Sequence, residues 1–173
     1  MMRRIVIVGS GGSGKSTLAV QAGLALGVEV TYLDSLFWKP GWVRISATEQ
    51  DAIVQEVVTR ASWIVDGDHL RTQPVRFAAV DTTVFLDLPR WVCLWRTVKR
   101  FLQYRGRSRT GMAAGCPERL NGVLPRWVWR YPTDNRAQVL ENITRYGGGC
   151  RVVTLYNMKE VRQFLDTLPN REN

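Results

Sequence analysis

Short β-branched and apolar runs alternate along the chain with stretches whose apolar residues recur at helical spacing. That rhythm specifies βαβ units and a parallel sheet. The runs predict strands over Arg4 to Val8, Glu29 to Leu33, Trp63 to Val65, Thr83 to Asp87 and Arg151 to Leu155. Helices are predicted over Lys15 to Leu26, Ala47 to Arg60, Arg90 to Tyr104, about Asp134 to Tyr146, and Met158 to Leu168. Two helix starts carry their own capping signals: Ser46 with Glu49 three residues on has the form of a capping box, and Asn157 stands three residues before Glu160. The stretch from Tyr104 to Pro125 holds Gly106, Gly111, Gly115, Pro117, Gly122 and Pro125 with little apolar periodicity, so it reads as a long functional excursion. The expectation is one α/β domain over residues 1–173, a doubly wound five-stranded parallel sheet with an insertion at about 104–130. A chain of 173 residues, 45% hydrophobic, can bury the core this requires.

The first strand runs straight into Gly9-Ser10-Gly11-Gly12-Ser13-Gly14-Lys15-Ser16-Thr17, which fits G-x-x-x-x-G-K-S/T followed by a helix. The glycines let consecutive N–H groups turn inward, and the helix starting at Lys15 adds its positive dipole end. Lys15 then reaches β- and γ-phosphates, and Ser16 offers a hydroxyl to Mg²⁺. Residues 9–17 are therefore the candidate nucleotide-binding set. GTP-binding proteins read their base with N-K-x-D, and Asn157-Met158-Lys159-Glu160 has the wrong order, so ATP is the expected nucleotide.

Several other residues stand where an open α/β sheet binds ligands, at the carboxyl ends of its strands. Asp66 ends "WIVDG" and is the preferred carboxylate to hold Mg²⁺ with Ser16, with Asp87 as its competitor and a turn aspartate as the plainer account. Asp34 ends "VTYLD" and either deprotonates an acceptor hydroxyl or serves as a cap. Arg71 and Arg76 follow the third strand and could clamp an anionic acceptor or be solvated surface arginines. Arg96 and Arg100 share a helix face; a like-charged pair four residues apart costs stability unless an anion lies between. Trp38, with Trp42, either walls an acceptor pocket or packs over the sheet edge. His69, the single histidine, reads as structural, and core or lid packing is the preferred account of Trp91, Trp95, Trp127 and Trp129.

Charge sharpens this picture. The chain carries a net +9, and between Arg90 and Arg136 eleven basic residues face two acids, while the remainder balances at 13 against 13. Ten of the eleven are arginines, whose planar fork suits bidentate phosphate contacts, so the segment expects polyanions. Cys93, Cys116 and Cys150 are too widely spaced for a disulfide framework or a zinc site, which agrees with a reducing cytoplasm. The apolar run after Arg3 and Arg4 is too short for a secretory signal, and no stretch approaches a membrane span.

The motifs "GSGGSGKSTLA", "YLDSLFWKPGW", "WIVDGDHLRT", "TTVFLDLPRWVCLWRTVKR", "YRGRSRTGMAAGCPERL" and "WVWRYPTDNR" resemble small P-loop kinases of the adenylate-kinase and shikimate-kinase type. Within these, they are most similar to bacterial DNA topology modulation (FlaR-like) proteins. The resemblance implies a three-layer αβα P-loop NTPase fold with an arginine-rich lid, ATP and Mg²⁺ as ligands, and phosphoryl transfer to a small-molecule acceptor. It also implies that Arg71 binds the acceptor, that Arg96 and Arg100 reach the phosphates, and that Arg105, Arg107, Arg109 and Arg136 are available to the lid. Asp66-Gly67 is followed by Asp68-His69 where adenylate kinases carry Phe-Pro, and the acceptor-side insertion is short, which points away from AMP. A second reading is an ATP-switched, nucleic-acid-binding regulator of DNA topology; no DNA-reading motif stands in the residues. Monomer and dimer are not distinguished by the sequence.

Overall fold

The computed structural model describes residues 2–107, 111–118 and 122–169. In chain order the elements are β1 (Arg4–Gly9), α1 (Lys15–Leu26), β2 (Val30–Tyr32), α2 (Leu33–Phe37), β3 (Trp38–Lys39), β4 (Val43–Arg44), α3 (Ala47–Val58) and β5 (Trp63–Asp66). There follow a three-residue 3₁₀ turn (Leu70–Thr72), α4 (Gln73–Ala79), β6 (Thr82–Leu86), α5 (Arg90–Tyr104), α6 (Val123–Asp134), α7 (Arg136–Tyr146), β7 (Arg151–Leu155) and α8 (Met158–Asp166).

The main sheet has five parallel strands in the order β2-β5-β1-β6-β7, with β1 at its centre. Alternation along β1 builds the layers. Ile5 and Ile7 enter one cluster with Leu18, Ala22, Val161 and Phe164 from α1 and α8. Val6 and Val8 enter the other with Val54, Phe77, Val139 and Ile143 from α3, α4 and α7. Successive strand side chains point to opposite faces, so a fully buried strand must be apolar throughout, and Ile5 to Val8 are at most 1% exposed. This is a three-layer α/β architecture, as the sequence predicts. At β1, Ile5 pairs with Ile64 of β5 and Thr82 of β6, so Gly9, Asp66 and Leu86 all emerge at one edge.

The strands lie within two residues of their predicted positions, and α1 and α5 span the predicted ranges. Both capping signals are realised. Ser46 Oγ accepts from the Glu49 amide at 3.1 Å while the Ser46 amide donates to Glu49 at 2.8 Å, and Asn157 accepts from the Glu160 amide. Each such cap contributes about 1 kcal/mol. The Ser46 hydrogen bonds also hold the Glu49 carboxyl below its usual range.

Three differences concern elements the pattern hid. β2 stops at Tyr32, and Leu33 already opens α2, because a five-residue helix is too short to show a period. α4 was not predicted. The second half of the expected insertion is helix: α6 begins at Val123 and packs on α5, with Val128 and Tyr131 buried. Gly122, Pro125 and Pro132 masked its period; Pro125 sits in the first turn, where a missing N–H costs nothing. Trp91 and Trp95 are 61% and 66% exposed rather than packed inside, with Arg90 over both the Trp91 and Trp129 rings. Among the described residues no helix is long and apolar enough to cross a membrane.

Candidate active site

The turn between β1 and α1 is shaped by what lies beneath it. Gly12 has φ +76, and a Cβ there would stand 2.2 Å from the Cys93 carbonyl oxygen and 2.7 Å from Thr97 Oγ1, both on α5. Gly9, at φ +141, would bring a Cβ within 2.5 Å of the Leu86 carbonyl oxygen on β6. The two positions need glycine both for backbone conformation and for lack of space. The loop closes with the Ser13 amide donating to the Ser10 carbonyl at 3.2 Å, and Lys15 Nζ folds across it to the same carbonyl at 2.8 Å. α1 then begins at Lys15 with no side-chain cap at its first residue, so its leading N–H groups face the cleft.

Ser16 Oγ donates to Asp66 Oδ2 at 2.5 Å, joining the start of α1 to the end of β5. Asp87, the alternative carboxylate, is taken by Arg136, whose Nε and Nη2 donate to its Oδ2 at 2.9 and 2.8 Å. Those bonds hold the Arg136 guanidinium above its ordinary pKa. Arg136 thus opens α7 and braces the end of β6, which does not fit the expected place in a lid. A hydroxyl and a carboxylate are the hard oxygen donors Mg²⁺ takes when phosphate and water complete its shell. No cluster of three His, Cys, Asp or Glu exists among the described residues to hold a metal by protein alone. The residues fit a polyphosphate with Mg²⁺.

The loop opens onto a cleft of about 1780 Å³. Arg96 lines it, its Nη1 donating to the Ser13 carbonyl at 3.3 Å. Arg100 lines it one turn on and pairs with the largely buried Glu118 at 2.9 Å, which ties α5 to the far side of the insertion. Arg105 and Arg107 are exposed at the rim, where residues 105 and 107 bridge the backbone of Glu118. Arg109 lies outside the described residues.

Across the cleft stand Asp34, Trp38, Trp42, His69 and Arg71. Asp34 sits in the first turn of α2 rather than at a strand end. His69 Nε2 lies 3.0 Å from Asp34 Oδ1; a carboxylate only accepts, so the ring donates. Arg71 is anchored on α3, donating to Asp51 at 2.8 Å and to the Ala47 carbonyl at 3.0 Å, and still borders the cleft. Trp38 and Trp42 meet edge to face at 5.6 Å on the β3–β4 hairpin, and the Trp42 indole donates to the Pro117 carbonyl.

Arg76 does not line the cleft. It is fully buried, and its guanidinium donates to the carbonyls of Gly67 at 2.8 Å, Asp68 at 2.7 Å and His69 at 3.1 Å. Burial, partly offset by Asp68 and Asp66, pulls its pKa down to about 10. A fully buried arginine that donates from all three of its nitrogens to backbone carbonyls does not reach the cleft to clamp an acceptor; it fixes the loop after β5. Asp68, which sequence reasoning passed over, is the hub of that loop. Its Oδ1 accepts from the Gly9 amide at 3.3 Å and from the Tyr131 hydroxyl at 3.0 Å. Burial pushes its carboxyl above the usual range against the pull of Lys15, Tyr131, Arg76 and Gly9. The Tyr131 hydroxyl is itself pushed up, first by burial and then by Asp68. The Gly9 amide is therefore committed to Asp68, and the amides available to phosphate begin further along the loop.

No family model matches the chain, and no curated relative does. Solved structures do. A shikimate kinase from Acinetobacter baumannii in complex with shikimate superposes with a TM-score of 0.60 at 16% identity, over 96% of this chain and 90% of that one. This chain has the P-loop kinase fold. A gluconokinase from Sinorhizobium meliloti follows the same path with a TM-score of 0.55 at 18% identity, over 95% and 87% of the two chains. A deoxyadenosine kinase from M. mycoides with bound dCTP gives 0.50 at 13%, over 94% and 97%. In this fold residues 11–17 of the loop line the same cleft as Asp34, Trp38 and Arg71.

Proposed function

We propose that the protein is an ATP-dependent phosphotransferase that moves the γ-phosphoryl group of ATP to a small hydroxyl-bearing acceptor. The observation that carries this reading is the shared cleft, which the glycine loop with Lys15 and Ser16, together with Asp66, lines alongside Asp34, Arg71 and Trp38. Phosphoryl transfer needs little beyond positioning and charge stabilisation, and that is what these groups offer. Lys15 and the amides of the loop and the start of α1 within residues 11–17, apart from that of Ser13, bind the β- and γ-phosphates. Ser16 and Asp66 hold Mg²⁺, which supplies charge neutralisation across those phosphates when bound. Arg96 and Arg100 face the developing charge, Asp34 takes the acceptor proton, and Arg71 and Trp38 hold the acceptor. The arginine-bearing segment between α5 and α6, with Arg105, Arg107 and Arg109, closes over the reactants and excludes water.

The likeness of the fold to a shikimate kinase, a gluconokinase and a deoxyadenosine kinase supports a small-molecule acceptor. The FlaR-like motifs belong to the same reading. The free cysteines Cys93, Cys116 and Cys150 agree with a cytoplasmic enzyme.

The test is ADP release with nucleosides, nucleoside monophosphates and small hydroxylated metabolites in turn. One class should raise ADP release well above the rate with water alone, and Lys15→Ala should abolish it with the fold intact. Unchanged turnover in Lys15→Ala would overturn the assignment.

A further inference from the structure

We infer that His69 is a positioning residue for the acceptor-activating carboxylate, acting through Asp34 and held for that purpose in a strained backbone conformation. The inference rests on the kinase reading and adds to it a residue and a device.

Three independent observations carry it. The His69 ring, 13% exposed, donates from Nε2 to Asp34 Oδ1 at 3.0 Å, while the Asp34 side chain remains 41% exposed toward the cleft. The ring is wedged edge to face against Phe37 at 4.8 Å, and Phe37 is fully buried, so the imidazole plane is fixed by the core. The His69 backbone has φ +28 and ψ +73, one of two positive-φ residues other than glycine among those described. A residue other than glycine enters that region at a cost, and it stays where its surroundings hold it.

Those surroundings are unusually complete. The His69 carbonyl accepts from Arg76 Nη2 at 3.1 Å, from Thr72 Oγ1 at 3.2 Å and from the Thr72 amide at 3.1 Å. Arg76 in turn grips the carbonyls of Gly67 and Asp68, so a fully buried cation sets the whole turn that aims His69 at Asp34. The same turn brings the imidazole onto a carboxylate on α2, 35 residues away.

The chemical consequence follows from having one carboxylate oxygen engaged. With Oδ1 held by Nε2–H, the carboxylate plane cannot rotate freely, and the side chain keeps one orientation at the cleft. In the transfer, the acceptor O–H bond breaks with its proton going to Asp34. The acceptor oxygen bonds to the γ-phosphorus, and the bond from that phosphorus to the β–γ bridging oxygen breaks, leaving ADP. His69 neither gains nor loses a proton in this step; it holds the base in place.

The test compares variants in acceptor-dependent ADP release, together with proton NMR. His69→Ala should lower kcat about 10- to 100-fold, part of the about 10²- to 10⁴-fold that a positioned general base supplies, with KM for ATP within twofold of wild type. His69→Gln, whose amide can donate to the same oxygen, should recover most of that loss. In an Asp34→Asn background His69→Ala should cost no more than about twofold further, as interacting sites are non-additive. If the alanine variant fails to fold, His69→Asn replaces it, since asparagine tolerates a left-handed backbone but is too short to reach Asp34. A full-sized additional loss in the Asp34→Asn background, or a Gln variant as impaired as Ala at equal thermal stability, would overturn the inference. The chain has a single histidine, so its ring gives one unambiguous signal whatever the turnover. The Hε2 proton should be protected in wild type and exchange-broadened in Asp34→Ala. Equal protection in both would overturn the inference without touching the kinase reading, and absent turnover in wild type would overturn the kinase reading alone.

Discussion

At the phosphate end of the cleft the lining is main chain: a glycine loop pressed between β6 and α5, with Lys15 and Ser16 at the start of a twelve-residue helix. At the acceptor end the lining is side chain, carried on a five-residue helix, a two-stranded hairpin and a three-residue 3₁₀ turn. The two ends are joined through the loop after β5, where Asp66 faces Ser16 and Asp68 faces the Gly9 amide. Main-chain amides bind any polyphosphate and need only the right bend. Side chains on short elements can be exchanged one at a time, so on the proposed reading specificity resides at the acceptor end. The contrast predicts that damage to the loop abolishes activity outright, while damage across the cleft changes what is bound and how fast it reacts.

The largest effect expected is that of Lys15→Ala, a loss of at least about 10³-fold in turnover with an unchanged far-ultraviolet spectrum, measured by ADP release. Arg76→Met comes next, and on stability rather than chemistry. Removing the buried guanidinium takes the side-chain donor from the Gly67 carbonyl and one donor each from the Asp68 and His69 carbonyls, which keep Gln73 and Thr72, and should cost about 2 kcal/mol in a denaturant titration. Arg71→Ala should raise the acceptor KM about 10- to 100-fold while leaving ATP affinity within twofold, because its tethers run to α3 and not to the loop.

The smallest effect has a definite sign. Asp68 has a folded pKa above its ordinary 3.8 because of burial, so its protonated form favours folding. The stability this contributes is full below the ordinary value and is lost as pH rises through the folded one. Asp68→Asn keeps an acceptor for the Gly9 amide and the Tyr131 hydroxyl, both of which land on Oδ1, and removes the titration. Melting temperatures of the two proteins should therefore diverge from just above pH 3.8 upward, with the asparagine variant gaining on wild type. A melting temperature of the asparagine variant that falls relative to wild type as pH rises would contradict the burial account.

The same contrast explains what the sequence made legible. The phosphate end is contiguous: Gly9 to Thr17 sit in one window, behind a strand whose apolar run is continuous because both faces are buried. Asp66 and Asp34 were legible as carboxylates at the carboxyl edge of the sheet. His69 was not, because its role arises from a turn that places it against Asp34, and a lone histidine carries no spacing signal. Asp68 was hidden for the same reason: its partners Gly9 and Tyr131 are 59 and 63 residues away. From sequence Arg76 reads as either an acceptor clamp or a solvated surface arginine, because burial cannot be seen in an isolated arginine. Arg136 was grouped with the basic segment by charge alone, while Asp87, just beyond β6, was already there to claim it.

The central claim is that the two ends act separately, the loop holding nucleotide and the far wall holding acceptor. Calorimetric titration of a non-hydrolysable ATP analogue with Mg²⁺ into wild type, Lys15→Ala and Arg71→Ala tests it most directly. The account predicts matching affinities for wild type and Arg71→Ala and at least about a tenfold loss in Lys15→Ala. Equal nucleotide affinity in wild type and Lys15→Ala, or a loss confined to Arg71→Ala, would contradict it.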